Sequence, residues 1–149
     1  MRGFLTGILL LAGLSVVAVA QSNSEPAIQV QLNPQKPLHL RVTLRSGAAT
    51  TISISRYELP WGWRYSMVFA AVRPNGDAVE LPLPVSDPGL SEMSVKAGET
   101  LTGDIDLRYV IDPNALKKSD VLLFWAYKAP AALHIPRWTG GLVVIPQQK

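Results

Sequence analysis

The side chains best suited to recognition lie in two segments rich in tryptophan, arginine and proline. The first, Glu58–Arg64, reads Glu-Leu-Pro-Trp-Gly-Trp-Arg, and the second, Ala129–Gly141, holds one histidine, one arginine and one tryptophan. Tryptophan and arginine dominate recognition surfaces because they bury a large area and keep a polar group or a planar cation available. If both segments are loops at one end of a domain, six candidate binding residues meet there: Trp61, Trp63, Arg64, His134, Arg137 and Trp138.

A purely structural role explains the same two segments. Long loops at the end of a β-sandwich have to cover its core, and tryptophans folded inward do this well. Pro60, Pro130 and Pro136 stiffen the loops, and stiffness suits either a lid or a preorganised binding surface. The exposure of the indole rings therefore distinguishes the two interpretations.

Catalytic residues are scarce in this sequence. The two histidines, His39 and His134, exclude a centre with three histidine ligands and leave one plausible histidine for a Ser-His-Asp arrangement. There is no Gly-x-Ser-x-Gly elbow and no glycine-rich phosphate loop. We therefore expect a protein that is not an enzyme and that uses no cofactor.

One pair of carboxylates is a weak candidate for a metal site. Asp104 and Asp106 lie two residues apart on one face of a predicted strand, and paired carboxylates hold calcium or carry out acid–base chemistry. They alternate with Ile105 and Leu107, however, which is the ordinary pattern of a solvated strand face. We expect no metal ion here.

Composition narrows the functional class further. The 149 residues are 48% hydrophobic and 17% charged, which favours one folded domain. A net charge of +3 without a cationic cluster gives no reason to expect nucleic-acid binding. The absence of cysteine excludes disulfides, thiolate nucleophiles, cysteine metal sites and lipid attachment through cysteine.

The first twenty residues have the pattern of a secretory signal peptide. Arg2 precedes an apolar run from Phe4 to Val17, and Ala18-Val19-Ala20 offers the small side chains that a signal peptidase accepts. The sequence predicts a signal helix cleaved after Ala20, export to the periplasm or beyond, and a domain at residues 21–149 with no stable membrane span. A retained anchor is the alternative, although Phe4–Ala20 is at the short end of the spanning range.

Hydrophobic residues in the rest of the chain recur with the period of a β-strand. Leu38–Arg45 alternates without a break between apolar and polar residues. Tyr65–Val72 and Val121–Tyr127 are apolar on both faces, which predicts central strands covered on each side. Asp112 followed by Pro113 predicts one short helix reaching Lys118. The fold class is therefore all-β and antiparallel, with one short helix.

Residues Leu116–Ala126 resemble the Leu-x-x-x-Asp-x-Ala-x-Tyr-x-Cys pattern that leads into strand F of immunoglobulin-type sandwiches. Leu116 and Asp120 match, whereas Phe124 replaces the tyrosine and Ala126 the cysteine. The resemblance implies an immunoglobulin-like antiparallel sandwich of 8–9 strands without the inter-sheet disulfide. It assigns strand B to Thr51–Arg56, C to Tyr65–Val72, E to Leu101–Tyr109, F to Val121–Lys128 and G to Leu142–Ile145.

This strand assignment makes the two tryptophan-containing segments the B–C and F–G loops, which share one end of the sandwich. Three short phrases, Leu59–Trp61, Gly98–Gly103 and Phe124–Tyr127, also resemble uncharacterised exported bacterial proteins of immunoglobulin-like fold. That family implies no known activity.

The sequence thus predicts an exported, non-enzymatic module that binds an envelope protein or peptide through the loop tip or by strand addition at a sheet edge. One alternative is a protease inhibitor similar to the chagasin family, although the Asn-Pro-Thr-Thr-Gly motif of that family is missing and Pro136-Arg137-Trp138 scrambles its Arg-Pro-Trp. Another is a carbohydrate-binding module, because planar indoles stack on sugar rings.

Overall fold

A computed structural model of the chain describes residues 27–62, 66–82 and 91–148. The predicted leader and two candidate binding residues, Trp63 and Arg64, lie outside these ranges. The described part contains one α-helix, α1 (Pro113–Leu116), and single 3₁₀ turns between strands. Its strands are β1 (Ile28–Leu32), β2 (His39–Arg45), β3 (Ile52–Ser55), β4 (Met67–Val72), β5 (Ala78–Val79), β6 (Glu92–Val95), β7 (Thr100–Asp106), β8 (Val121–Lys128) and β9 (Trp138–Ile145).

The strands form three antiparallel sheets. Their orders are β1-β2-β7, β3-β6 and β5-β4-β8-β9. This confirms the predicted all-β antiparallel class, and the arrangement is compatible with a β-sandwich. Within the described residues, no helix reaches the length and apolarity that a bilayer crossing requires.

The segment that the resemblance assigns to strand B, Thr51–Arg56, does not pair with β7. Ile52–Ser55 pairs with Glu92–Val95, whereas the strand next to β7 is His39–Arg45. β2 and β3 follow each other in the chain, and so do β6 and β7. The pairing of β2 with β7 therefore continues as the pairing of β3 with β6, after an interruption at residues 46–51. Alternation alone could not decide which of two neighbouring strands pairs with β7, because both have period two.

The predicted helix is confirmed, although it is shorter than the sequence pattern suggested. α1 begins at Pro113, and the carboxylate of Asp112 accepts a hydrogen bond from the backbone N–H of Asn114 at 2.9 Å. Proline fits the first helical position because its missing N–H would have no partner there. Ala115 and Leu116 are buried and attach the helix to the core.

The inward positions of the sheets form one hydrophobic core. Leu40, Val42 and Leu44 of β2 are fully buried, and they belong to the same cluster as Leu123 and Tyr127 of β8. Burying a side chain of this size stabilises a fold by about 1.5–3 kcal/mol. Three of the apolar residues in the alternating segment Leu38–Arg45 thus pack in the core.

Tyr127 links the centre of one sheet to the connection between β3 and β4. Its ring is fully buried, and its hydroxyl donates a 2.8 Å hydrogen bond to the backbone carbonyl of Glu58. Burial raises the pKa of the phenol, and the nearby Glu58 raises it further. Tyr127 therefore stays neutral and fixes the start of the first tryptophan-containing segment.

Trp61 lies against a glycine on the inner face of β7. A Cβ at Gly103 would overlap ring atoms of the Trp61 indole. Trp61 is half-buried, and it packs against the edge of the hydrophobic core. The missing side chain of Gly103 creates the space that this indole fills, so Trp61 is a cover for the sheet.

We predict that Gly103→Ala destabilises the fold by about 1–3 kcal/mol, because the added methyl group forces the indole or the strand to move. The measurement is the free energy of unfolding in urea. Trp61→Ala in the same chain should reduce the effect of the glycine substitution, so the double mutant is less unstable than the sum of the single changes. Additive effects would contradict this packing.

Candidate functional site

The second tryptophan-containing segment is a loop anchored to the core in its middle. Leu133 is fully buried, and its carbonyl accepts a 2.8 Å hydrogen bond from the backbone N–H of Gly47. A Cβ at Gly47 would overlap the carbonyl oxygen of His134, so the two backbones are in close contact. Leu133 and the backbone contact with Gly47 therefore anchor this loop to the core.

Other side chains of the same loop are exposed to solvent. His134 adopts a left-handed backbone conformation at φ 52° directly after Leu133, and both it and Arg137 are exposed. The backbone N–H of Ala129 donates to the carbonyl of Arg137 at 2.8 Å, which closes the loop. Trp138 begins β9 immediately beyond this bond and is 57% exposed.

The structure therefore divides the six predicted binding residues. His134, Arg137 and Trp138 are exposed on one loop and the strand that follows it. Trp61 packs on Gly103 instead of projecting with them. The prediction for Trp63 and Arg64 falls outside the described residues.

A second exposed surface was not predicted from the sequence. It is the outward face of β4, β8 and β9, which we call the apolar face. Val68, Phe124, Leu142 and Val144 on this face are 45–60% exposed. Strand pairing puts the following residues on it: Val68, Ala70, Val72, Leu122, Phe124, Ala126, Trp138, Leu142 and Val144.

The outward face of the other large sheet, β1-β2-β7, has the opposite character, and we call it the polar face. At the corresponding positions, β2 carries His39, Arg41 and Arg45, and β7 carries Asp104 and Asp106. On the apolar face, by contrast, Lys128 is the only charged residue among the outward positions of the three strands. A sheet face in contact with water is ordinarily polar, so the apolar face is the unusual one.

The prediction that β4 and β8 are covered on both sides is wrong for the described chain. Their inward residues are buried or, at Phe69, partly buried, but Val68 and Phe124 on the other side remain exposed. The two-sided apolar pattern was nevertheless the sequence signal for this surface. The pattern indicates that both faces are apolar. It does not indicate that residues of this chain pack on both of them.

The carboxylates of Asp104 and Asp106 are engaged by neighbouring side chains. Asp104 accepts hydrogen bonds from Lys36 Nζ at 2.7 Å and from Asn33 Nδ2 at 2.9 Å. Asp106 accepts from the Arg108 guanidinium at 2.6 and 2.9 Å. The hydrogen bond from Lys36 lowers the pKa of Asp104, and the hydrogen bond from Arg108 lowers that of Asp106.

Both carboxylates are therefore ionised and already neutralised by a cation, which suits a structural role on the polar face. Within the described residues, no three side chains of histidine, cysteine, aspartate or glutamate lie close enough together to hold a metal ion. A catalytic role for this pair would require displacing Lys36 or Arg108.

No protein-family model matches the chain, and no curated protein is similar to it.

We predict that Trp138 is the source of a red-shifted, readily quenched fluorescence signal, because its indole is exposed. Trp138→Phe should move the emission maximum to the blue and reduce quenching by acrylamide. Trp125→Phe should do the opposite, since Trp125 is 8% exposed. The spectra are recorded at low protein concentration, and unchanged quenching in Trp138→Phe would contradict the exposed position.

The two carboxylates also predict how stability depends on pH. Because folding lowers both pKa values below the usual 3.8, their contribution to stability is complete above about pH 4 and is lost as the pH falls through the lowered values. Asp104→Asn with Asp106→Asn should therefore lower the urea midpoint at pH 6 and flatten its decline below about pH 4. Glu80→Gln, at an exposed carboxylate, is the control, and an equally steep acid decline in the double variant would refute the assignment.

Proposed function

We propose that this protein is an exported, non-enzymatic interaction module that binds an envelope protein or peptide through the apolar face. The observation that carries the proposal is the exposure of Val68, Phe124, Trp138, Leu142 and Val144 on one side of one sheet. Soluble monomers rarely expose contiguous apolar patches of more than a few hundred Å², and larger patches mark contact sites.

The size of the apolar face is consistent with a protein-binding surface. Three strands spaced by about 4.8 Å, with six to eight residues each, cover roughly 300 Å² in projection. The side chains stand away from the sheet, so their accessible area is larger than the projection. Removing apolar area from water yields about 25 cal/mol per Å² before the costs of association.

The loop end of the face adds polar groups that can orient a partner. Trp138 lies opposite Lys128 in the β8–β9 ladder, and Arg137 immediately precedes it. An exposed indole beside the ammonium group of Lys128 provides an apolar anchor together with a donor for carboxylates or backbone carbonyls. This end of the face includes Trp138 from the predicted loop tip. Binding by strand addition at a sheet edge remains a prediction.

We also infer the immunoglobulin-like form of the fold and the export of the chain. The strand order that puts β8 between β4 and β9, and β2 between β1 and β7, supports the first inference. The small-x-small ending at Ala18–Ala20 supports the second. Export would put the apolar face outside the cytoplasm, where other envelope proteins would be its partners.

Capture from an envelope extract tests this function. The chain is expressed with its own leader, and the exported form is immobilised at low density, so that copies do not meet. We expect wild type to retain specific proteins, Phe124→Lys to lose them, and Gln29→Lys to retain them. Gln29 is exposed on β1, on the polar face, and is the matched control for a lysine on an exposed strand.

Equal capture by Phe124→Lys and wild type would contradict the proposal. Far-UV circular dichroism verifies that both variants are folded. Retention that is lost on adding free polysaccharide, and that depends on Trp138 and not on Phe124, would instead identify the carbohydrate-binding alternative.

A further inference from the structure

We propose that the occupant of the apolar face is a second copy of this chain, packed face to face in a two-fold symmetric dimer. This inference rests on the proposed function, since it names the partner of the same surface. Three features support it: the register of β4, β8 and β9, the charges at the two ends of β8, and the area of the face.

Self-complementarity follows from the register of the strands. In the ladder, Ala70, Phe124 and Leu142 lie side by side across the middle of the face. A two-fold axis that lies in the interface and crosses the strands at this row brings Phe124 onto Phe124 of the second copy. Aromatic pairs of this kind attract each other beyond the effect of the area they bury.

The same axis brings apolar residues together away from the centre. On each strand, a residue on one side of the central row faces the residue of the second copy that lies equally far on the other side. Val68 therefore meets Val72 of the second copy, and Leu122 meets Ala126. Trp138 lies over the opposite end of β9, near the exposed Pro146 of the second copy.

The charges at the ends of β8 favour this axis over its alternative. Asp120, exposed just before the strand, and Lys128, at its end, are equally far in sequence from Phe124. An axis across the strands brings Lys128 near Asp120 of the second copy, twice per dimer. An axis along the strands brings Lys128 onto Lys128 and Asp120 onto Asp120, and like charges in that position disfavour the complex.

The area of the face is typical of weak, transient complexes. Two projections of roughly 300 Å² correspond to on the order of 1,000 Å² of accessible surface buried in total, which is the lower end of the range for specific interfaces. Sheets packed face to face lie about 10 Å apart with strands nearly aligned. We therefore expect a weak dimer with a dissociation constant of roughly 10–100 µM.

Sedimentation velocity over a concentration series tests the dimer, using the exported form of the full chain. Wild type should shift from monomer to dimer as its concentration passes about 100 µM. Phe124→Lys should remain monomeric at every concentration, whereas Gln29→Lys should behave as wild type. A wild type that stays monomeric, or a dimer that Phe124→Lys does not weaken, would overturn the proposal.

A charge exchange tests the axis without altering the apolar residues. Lys128→Glu and Asp120→Lys should each weaken the dimer about two- to tenfold at low salt, because each creates two like-charge contacts. The double variant should restore it to near wild-type strength, even though Asp120 no longer accepts its 2.8 Å hydrogen bond from the backbone N–H of Gln147. Failure of this rescue would overturn the axis.

The same variants separate this inference from the proposed function. A wild type that is monomeric but captures an envelope protein through Phe124 refutes the second copy and leaves the function standing. A monomeric wild type whose capture is unchanged by Phe124→Lys refutes both. Binding to anionic lipid vesicles that Phe124→Lys abolishes, without a dimer in solution, identifies a membrane surface as the occupant and also refutes the second copy.

Discussion

Strand β8 imposes the constraint on which the rest of the structure depends, because it is apolar on both faces. Its inward residues, among them Leu123, Trp125 and Tyr127, are buried against the opposite sheet. Its outward residues alternate with these at strand period, so the register that buries one set necessarily turns Phe124 and its neighbours outward. A shift by one residue would exchange the two sets and expose the indole of Trp125. With these residues, the register that forms the hydrophobic core therefore also exposes the apolar face.

Two tryptophans are accommodated by glycines on a neighbouring strand. Gly103 leaves space for the Trp61 indole, and a Cβ at Gly141 would come within 3 Å of the Trp125 ring. In both places an indole ring lies over a glycine, which has no side chain in the way, so the interior packs densely. The Trp125 indole is buried and the Trp61 indole is half-buried, so Trp138 is the exposed tryptophan among those described.

Sequence patterns predicted what depends on local rules. The alternation at Leu38–Arg45 and the Asp112–Pro113 helix start were predicted because each is set by neighbours in the chain. The pairing of β3 and the position of Trp61 depend on contacts between distant segments. Gly103 carries no side chain that could indicate a partner for an indole. The apolar face had a sequence signal in the runs that are apolar on both sides. Hydrophobicity indicates that a surface is removed from water, but it does not indicate which molecule covers that surface.

The apolar face is separable from the stability of the monomer. Exposed strand positions away from special features usually tolerate substitution within about 0.5 kcal/mol, so a folded monomer does not require apolar groups at 68, 124, 142 and 144. Leaving them apolar exposes the chain to unspecific association. The polar face, where Lys36 and Arg108 neutralise Asp104 and Asp106, demonstrates that the same architecture can carry a solvated exterior. The difference between the two faces is therefore not a demand of the fold, and the proposed contact with another protein surface would account for it physically.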